Sequence, residues 1–170
     1  MTASPPLSVS VSTMVAASPE TIYDLITDVT RMGEWSPETV EARWMGGATT
    51  ARPGARFVGT NVLGGLTWST KPTVVTAERG VRFAFQVPGA SGPLWSYDFD
   101  RADGGTRVTE SMTQTKPSPA VIRWMRARAG VTDRGEHLRQ AMCTTLDNLG
   151  AAAVAAAVAV AVAQASDPIR

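Results

Sequence analysis

The chain is poor in the residues that chemistry most often needs. Its 170 residues include one cysteine, Cys143, and one histidine, His137. One thiol cannot form an internal disulfide, so a disulfide framework is excluded and a reducing, cytoplasmic setting is the expectation. One histidine excludes a two-histidine mechanism. No CxxC pair or histidine cluster offers metal-ligand spacing, so neither a metal nor a cofactor is expected. There is no GxSxG elbow and no Walker A loop. Charge is scarce as well: charged residues make up 18% and the net charge is +1. That is below the usual quarter for a soluble domain, and it supplies no overall field to attract nucleic acid. The segment "MTASPPLSVSVST" lacks the basic and apolar regions of a secretory signal. The unbroken apolar run from Ala151 to Ala163 is shorter than the roughly 18–20 residues that cross a bilayer, so no transmembrane span is expected.

What is present is alternation. Leu7, Val9, Val11 and Val15 fall on one face of a strand, with serines mostly on the other. Ser18 is a good N-cap, Pro19 suits the first helical position, and Ile22, Leu25, Ile26 and Val29 follow at helical spacing. This predicts a helix ending near Met32-Gly33. Period two then returns in "ETVEARWM", "ARFVGTNVLG", "LTWSTKPTVVTAE", "RGVRFAFQV", "LWSYDFDRA" and "TRVTESMTQT", with turns at Gly64-Gly65 and Asp103-Gly104-Gly105. From Ser118 onward the pattern is helical, and Gly135, Leu138, Met142, Thr145, Leu146 and Leu149 form an apolar stripe. Strand, helix, meander and long final helix make an α+β layout. Residues 1–6 are expected as a flexible tail, 7–150 as one domain, and 151–170 as an Ala/Val-rich extension. That extension would prolong the helix, pair with a second copy as a homodimer contact, or lie on a membrane; prolongation with some self-association is favoured.

The ordered segments "SPETIYDLITDVTRMGEWSPE", "GARFVGTN", "WSTKPTVV", "RFAF", "WSYDF", "GGTRVTESM" and "GVTDRGEHLRQAMCTTLDNL" resemble the START-like helix-grip (SRPBCC) superfamily. Within it they are similar to the polyketide cyclase/dehydrase and lipid-transport branch common in actinobacteria. The resemblance covers roughly Leu7 to Gly150. It implies a curved antiparallel sheet of about six or seven strands wrapped around the C-terminal helix, with two short helices after the first strand. It also implies an apolar cavity between sheet and helix that takes a lipid, polyketide or sterol-like molecule. Fold alone does not choose between a carrier and an aromatase/cyclase.

On that frame Phe57, Asn61, Trp68, Phe83, Phe85, Trp95, Tyr97, Glu110 and Met112 are expected to line the cavity, with Gly135, Leu138 and Met142 closing it. Trp35 would wall the entrance or staple the helices to the sheet, while Trp44 reads as core. Gly135 reflects either close helix–sheet packing or open space beneath the helix. Asn61 would hydrogen-bond a ligand oxygen or serve the turn near Gly64. Glu110 shares a face with Val108 and Met112. Pointing inward, it would have a raised pKa and could act as general acid or base in a cyclase or dehydratase, with Asn61 or Tyr97 orienting a carbonyl. Otherwise the register is reversed, or it pairs with Arg82 or Arg107. His137 reads as a surface residue unless it reaches the cavity mouth, and Cys143 reads as a buried inert thiol. Non-catalytic binding ranks first, the cyclase or dehydratase second, and a structural protein with a filled core third.

Overall fold

The computed structural model describes residues 5–165. The tail expected at 1–6 therefore lies mostly outside the described residues, as do residues 166–170 of the extension. Eight strands form one antiparallel sheet: β1 (Ser8–Val15), β2 (Thr39–Met45), β3 (Arg56–Leu63), β4 (Leu66–Thr70), β5 (Thr73–Glu78), β6 (Arg82–Gln86), β7 (Leu94–Ala102) and β8 (Gly105–Thr113). The spatial order is β1-β8-β7-β6-β5-β3-β2, with β4 hanging on β3 as a hairpin. The count exceeds the expected six or seven because "LTWSTKPTVVTAE" is two strands. Pro72 has no amide to donate to a ladder, and the chain breaks at Lys71-Pro72.

Helix α1 (Pro19–Thr27) starts as anticipated, with Ser18 Oγ accepting from the Thr21 amide at 3.1 Å. It stops earlier than the periodicity suggested. The Asp28 carboxylate accepts from the Thr30 amide and starts a 3-10 turn, Val29–Arg31, which leads into the one-turn helix α2 (Met32–Trp35). The long final helix is also interrupted. Helix α3 (Ala120–Arg128) ends at Gly130, whose φ of 85° is left-handed. Asp133 then accepts from the Glu136 amide and opens α4 (Arg134–Ala165), a helix of 32 residues.

The sheet curls around α4. Leu138, Met142, Leu146, Leu149 and Ala153 are buried at three- and four-residue steps, and α4 packs mainly on β1, α1 and α2. Strand alternation is strict where it matters. Phe57, Gly59, Asn61 and Leu63 are buried on β3, and Thr106, Val108, Glu110 and Met112 on β8. Cys143 follows Met142 but faces outward and is exposed, which corrects the expectation of a buried thiol. It sits one residue, or about 100°, off the buried stripe.

Helix α4 as a whole is long and apolar enough to cross a membrane. Its larger part, from Arg134 to Ala153, is however the gripped core helix. The remainder, Val154 to Ala165, is about 18 Å long, well short of the roughly 30 Å hydrocarbon layer.

Candidate ligand cavity

A cavity of about 630 Å³ lies between the sheet and the start of α4. Small-molecule sites commonly occupy roughly 300–1,000 Å³. Of the residues singled out in the sequence, Phe57, Asn61, Trp68, Phe85, Trp95, Tyr97, Glu110 and Met112 line it from the strands, and Leu138 and Met142 from α4. Three do not. Phe83 is wholly buried in the core behind Phe85 and Tyr97. Trp35 is buried among the helices, its carbonyl accepting from Asn148 and its ring lying under the Arg31 guanidinium at 4.9 Å. It staples α2 to α4 and does not wall the entrance. Gly135 sits in the first turn of α4, where an added Cβ would meet Leu7 and Asp133 at ordinary contact distance, so it leaves no space for the cavity.

A chain of aromatic rings backs the cavity, and three of its members, Phe57, Phe85 and Tyr97, line it. Trp44 meets Phe57 edge-on at 5.8 Å, and Phe57 meets Phe85 at 5.2 Å. Phe85 tilts against Phe83, which stacks on Tyr97. Such offset and edge-to-face pairs hold large side chains in fixed orientations. The chain crosses β2, β3, β6 and β7 and ends beside Glu110 on β8.

Glu110 is 2% exposed, and its register partners are Tyr97 on β7 and Val11 on β1. The Tyr97 hydroxyl donates to Glu110 Oε1 at 2.8 Å, while Oε2 is buried without a hydrogen-bond partner. Pairing with an arginine does not occur: Arg82 pairs with Asp98 across β6 and β7, and Arg107 is exposed. Burial pushes the Glu110 carboxyl up to about 8, and the Tyr97 hydrogen bond offsets only part of that rise. Tyr97 is held well above its ordinary value by burial and by the neighbouring carboxyl.

Asn61 is spent on structure. Its Oδ1 accepts from Thr39 Oγ1 at 2.8 Å, and its Nδ2 donates to Thr70 Oγ1 at 3.3 Å and to the Gly59 carbonyl at 3.4 Å. It lines the cavity while tying β2, β3 and β4 together.

Helix α3 and the Glu38–Arg134 pair frame the mouth, and neither was assigned to the site from sequence. Helix α3 lies over it, with Val121, Ile122, Met125 and Arg126 facing the cavity. Their apolar spacing is readable in "AVIRWMRAR", but the arginines make it look like a basic surface segment. Arg134, the first residue of α4, grips Glu38 bidentately, with Nη2 to Oε2 at 2.8 Å. His137 Nε2 lies 3.0 Å from Glu38 Oε1. Burial and the nearby Arg134 lower the pKa of Arg126, which hydrogen-bonds to Ser118. Residues 96 positions apart make the Glu38–Arg134 pair, a separation no local pattern reveals.

Among the described residues no three His, Cys, Asp or Glu side chains come together to hold a metal.

Residues 6–164 match the family described as polyketide cyclase/dehydrase and lipid transport. The chain belongs to that family. No curated protein matches the sequence. Solved structures share the fold of this polyketide cyclase/dehydrase family member. The solution structure of the Polyketide_cyc-like protein Cgl2372 from Corynebacterium glutamicum is 29% identical, with a TM-score of 0.53 over 91% of this chain and 94% of that one. The ginseng major latex-like protein 151 from Panax ginseng reaches 0.67 at 12% identity, over 88% and 99%. The di-domain ARO/CYC StfQ from the steffimycin biosynthetic pathway reaches 0.70 at 14% identity, over 90% of this chain and 52% of that one.

Proposed function

We propose that the protein binds one apolar small molecule, of lipid, polyketide or sterol-like character, in the cavity beneath α3 and α4, as a non-catalytic carrier or binding protein. The observation that carries this reading is the 630 Å³ void itself, walled by Phe57, Phe85, Trp95, Met112, Leu138 and Met142. A domain whose role is purely structural gains nothing from an interior left unfilled, because a cavity costs packing energy. Native mass spectrometry of the protein purified gently from its source tests the reading. The expected result is a discrete added mass on the order of a few hundred daltons, released on denaturation. A bare protein that also fails to retain any added apolar probe overturns it.

A second reading has a specific observation behind it. Glu110 is a buried carboxyl held near neutrality beside Tyr97, which suits a general acid or base for cyclisation or dehydration of a polyketide-like substrate. Glu110→Gln would then preserve affinity for the substrate and abolish its turnover. If the released ligand is recovered unchanged from wild type and variant alike, the carrier reading stands alone.

A further inference from the structure

Glu110 has two carboxyl oxygens, and the protein uses one. Oε1 is satisfied by Tyr97, whereas Oε2 is buried with no partner. The residue forms part of the cavity wall. Nothing around it supplies the missing bond. On β1 it faces Val11, and on α4 the cavity presents Leu138, Met142 and Thr145, whose hydroxyl is already given to the Ala141 carbonyl. The charged groups that line the cavity lie at its mouth and are engaged there: Arg134 with Glu38, Arg126 with Ser118. No cation neutralises Glu110. An uncompensated buried charge is costly, so the neutral acid is the stable form at neutral pH. A neutral carboxyl carries one hydroxyl that needs an acceptor. An unmet buried polar group in a wall that is mostly apolar calls for a partner from the ligand.

We propose that the Glu110 carboxyl, on a small side-chain rotation that turns Oε2 into the cavity, is the donor for an uncharged acceptor oxygen of the bound molecule, so that the cavity selects carbonyl-bearing apolar ligands over matching hydrocarbons and over carboxylates. This rests on the ligand-binding reading above and names the ligand class of that same site. A ketone, aldehyde or ester oxygen accepts the hydrogen bond. A carboxylate is excluded twice, by its own desolvation and by repulsion once Glu110 ionises. The donor is lost as pH rises through about 8, so the selectivity is proton-linked. Tyr97, the titratable neighbour, stays protonated throughout that range.

The test uses three nearly isosteric probes, 2-acetylnaphthalene, 2-isopropylnaphthalene and 2-naphthoate, titrated into the full chain. Wild type should bind the ketone about tenfold more tightly than the hydrocarbon, and the carboxylate most weakly. The ketone preference should fade above pH about 8. Glu110→Leu should bring the ketone-to-hydrocarbon ratio near one. Glu110→Gln, which still donates, should keep the preference and lose its pH dependence. Equal affinity of wild type for ketone and hydrocarbon overturns the inference while leaving the binding reading intact. So does tighter binding of the carboxylate, or a ketone preference that survives in Glu110→Leu. Should the leucine variant fail to fold, the wild-type and glutamine pH profiles decide alone. If none of the three probes binds, the ligand-binding reading falls and the inference with it.

Discussion

The hydroxyl of Tyr97 donates to Glu110 Oε1 at 2.8 Å between two residues that face each other across β7 and β8. The bond fixes the carboxyl against the last ring of the aromatic chain and leaves its second oxygen unpaired. An acid so placed is a stability burden at high pH. Its folded-state pKa of about 8 lies above its ordinary 4.5. The stabilising contribution is fully present below the ordinary value and is lost as pH rises through about 8. Urea unfolding at about pH 5 and about pH 9 should show wild type losing a few kcal/mol more than Glu110→Gln across that range. Equal losses in the two proteins would mean that Glu110 is not buried as described.

Gly64 opens the β3–β4 hairpin with φ of 50°, and a Cβ there would fall 2.2 Å from the Ala129 carbonyl oxygen at the end of α3. Gly64→Ala therefore has both backbone strain and a backbone clash to relieve, and the simplest relief is to push α3 off the mouth. The expected cost is about 2 kcal/mol. Hydrogen exchange should quicken in α3 while β7 and β8 stay protected. Unchanged exchange in α3 would show that the hairpin does not hold the cap.

The Glu38–Arg134 pair joins the start of β2 to the start of α4, with side chains 13% and 16% exposed. Removing one partner of a pair this buried leaves the other charged and unmatched. Glu38→Gln places Arg134 near Arg126 with no carboxylate between them, and thermal unfolding should reveal a loss of about 1–3 kcal/mol. Replacing both partners, as Glu38→Gln with Arg134→Met, should recover part of that loss. A double variant no more stable than the single one would assign the cost to lost packing.

Phe83 and Trp68 are both aromatic strand residues, but only Trp68 lines the cavity. Phe83→Ala should cost about 3–5 kcal/mol by opening a hole in the core. Trp68→Ala, at a half-buried position, should cost less and should weaken binding of an apolar probe more than it weakens the fold. Similar stability losses for the two would mean that Trp68 belongs to the core as Phe83 does.

How much of this was legible in sequence depends on the range of the interaction. Strand faces were readable because alternation is local: Phe57 and Asn61 on β3 and Glu110 and Met112 on β8 face inward as their neighbours dictated. The inward stripe of α4 was readable for the same reason, from Leu138 to Leu149. Breaks were harder. Asp28, Pro72 and Gly130 each end an element that periodicity would have carried on, because single-residue capping or missing amides outweigh a weak pattern. Depth within one face was not legible at all. Phe83 and Phe85 share a strand face, yet one is core and the other borders a void, and that difference is set by what packs behind each ring. The mouth was missed because α3, Glu38 and Arg134 meet only in three dimensions.

The most direct test of the cavity is a fluorescence titration with the neutral probe N-phenyl-1-naphthylamine, run on wild type and on Ala141→Phe. Ala141 lines the void from α4, so a phenylalanine there fills it. Wild type should show saturable one-to-one binding, and a folded Ala141→Phe variant should lose it. Wild type that does not bind, or a folded variant that binds as well as wild type, would contradict binding in the cavity.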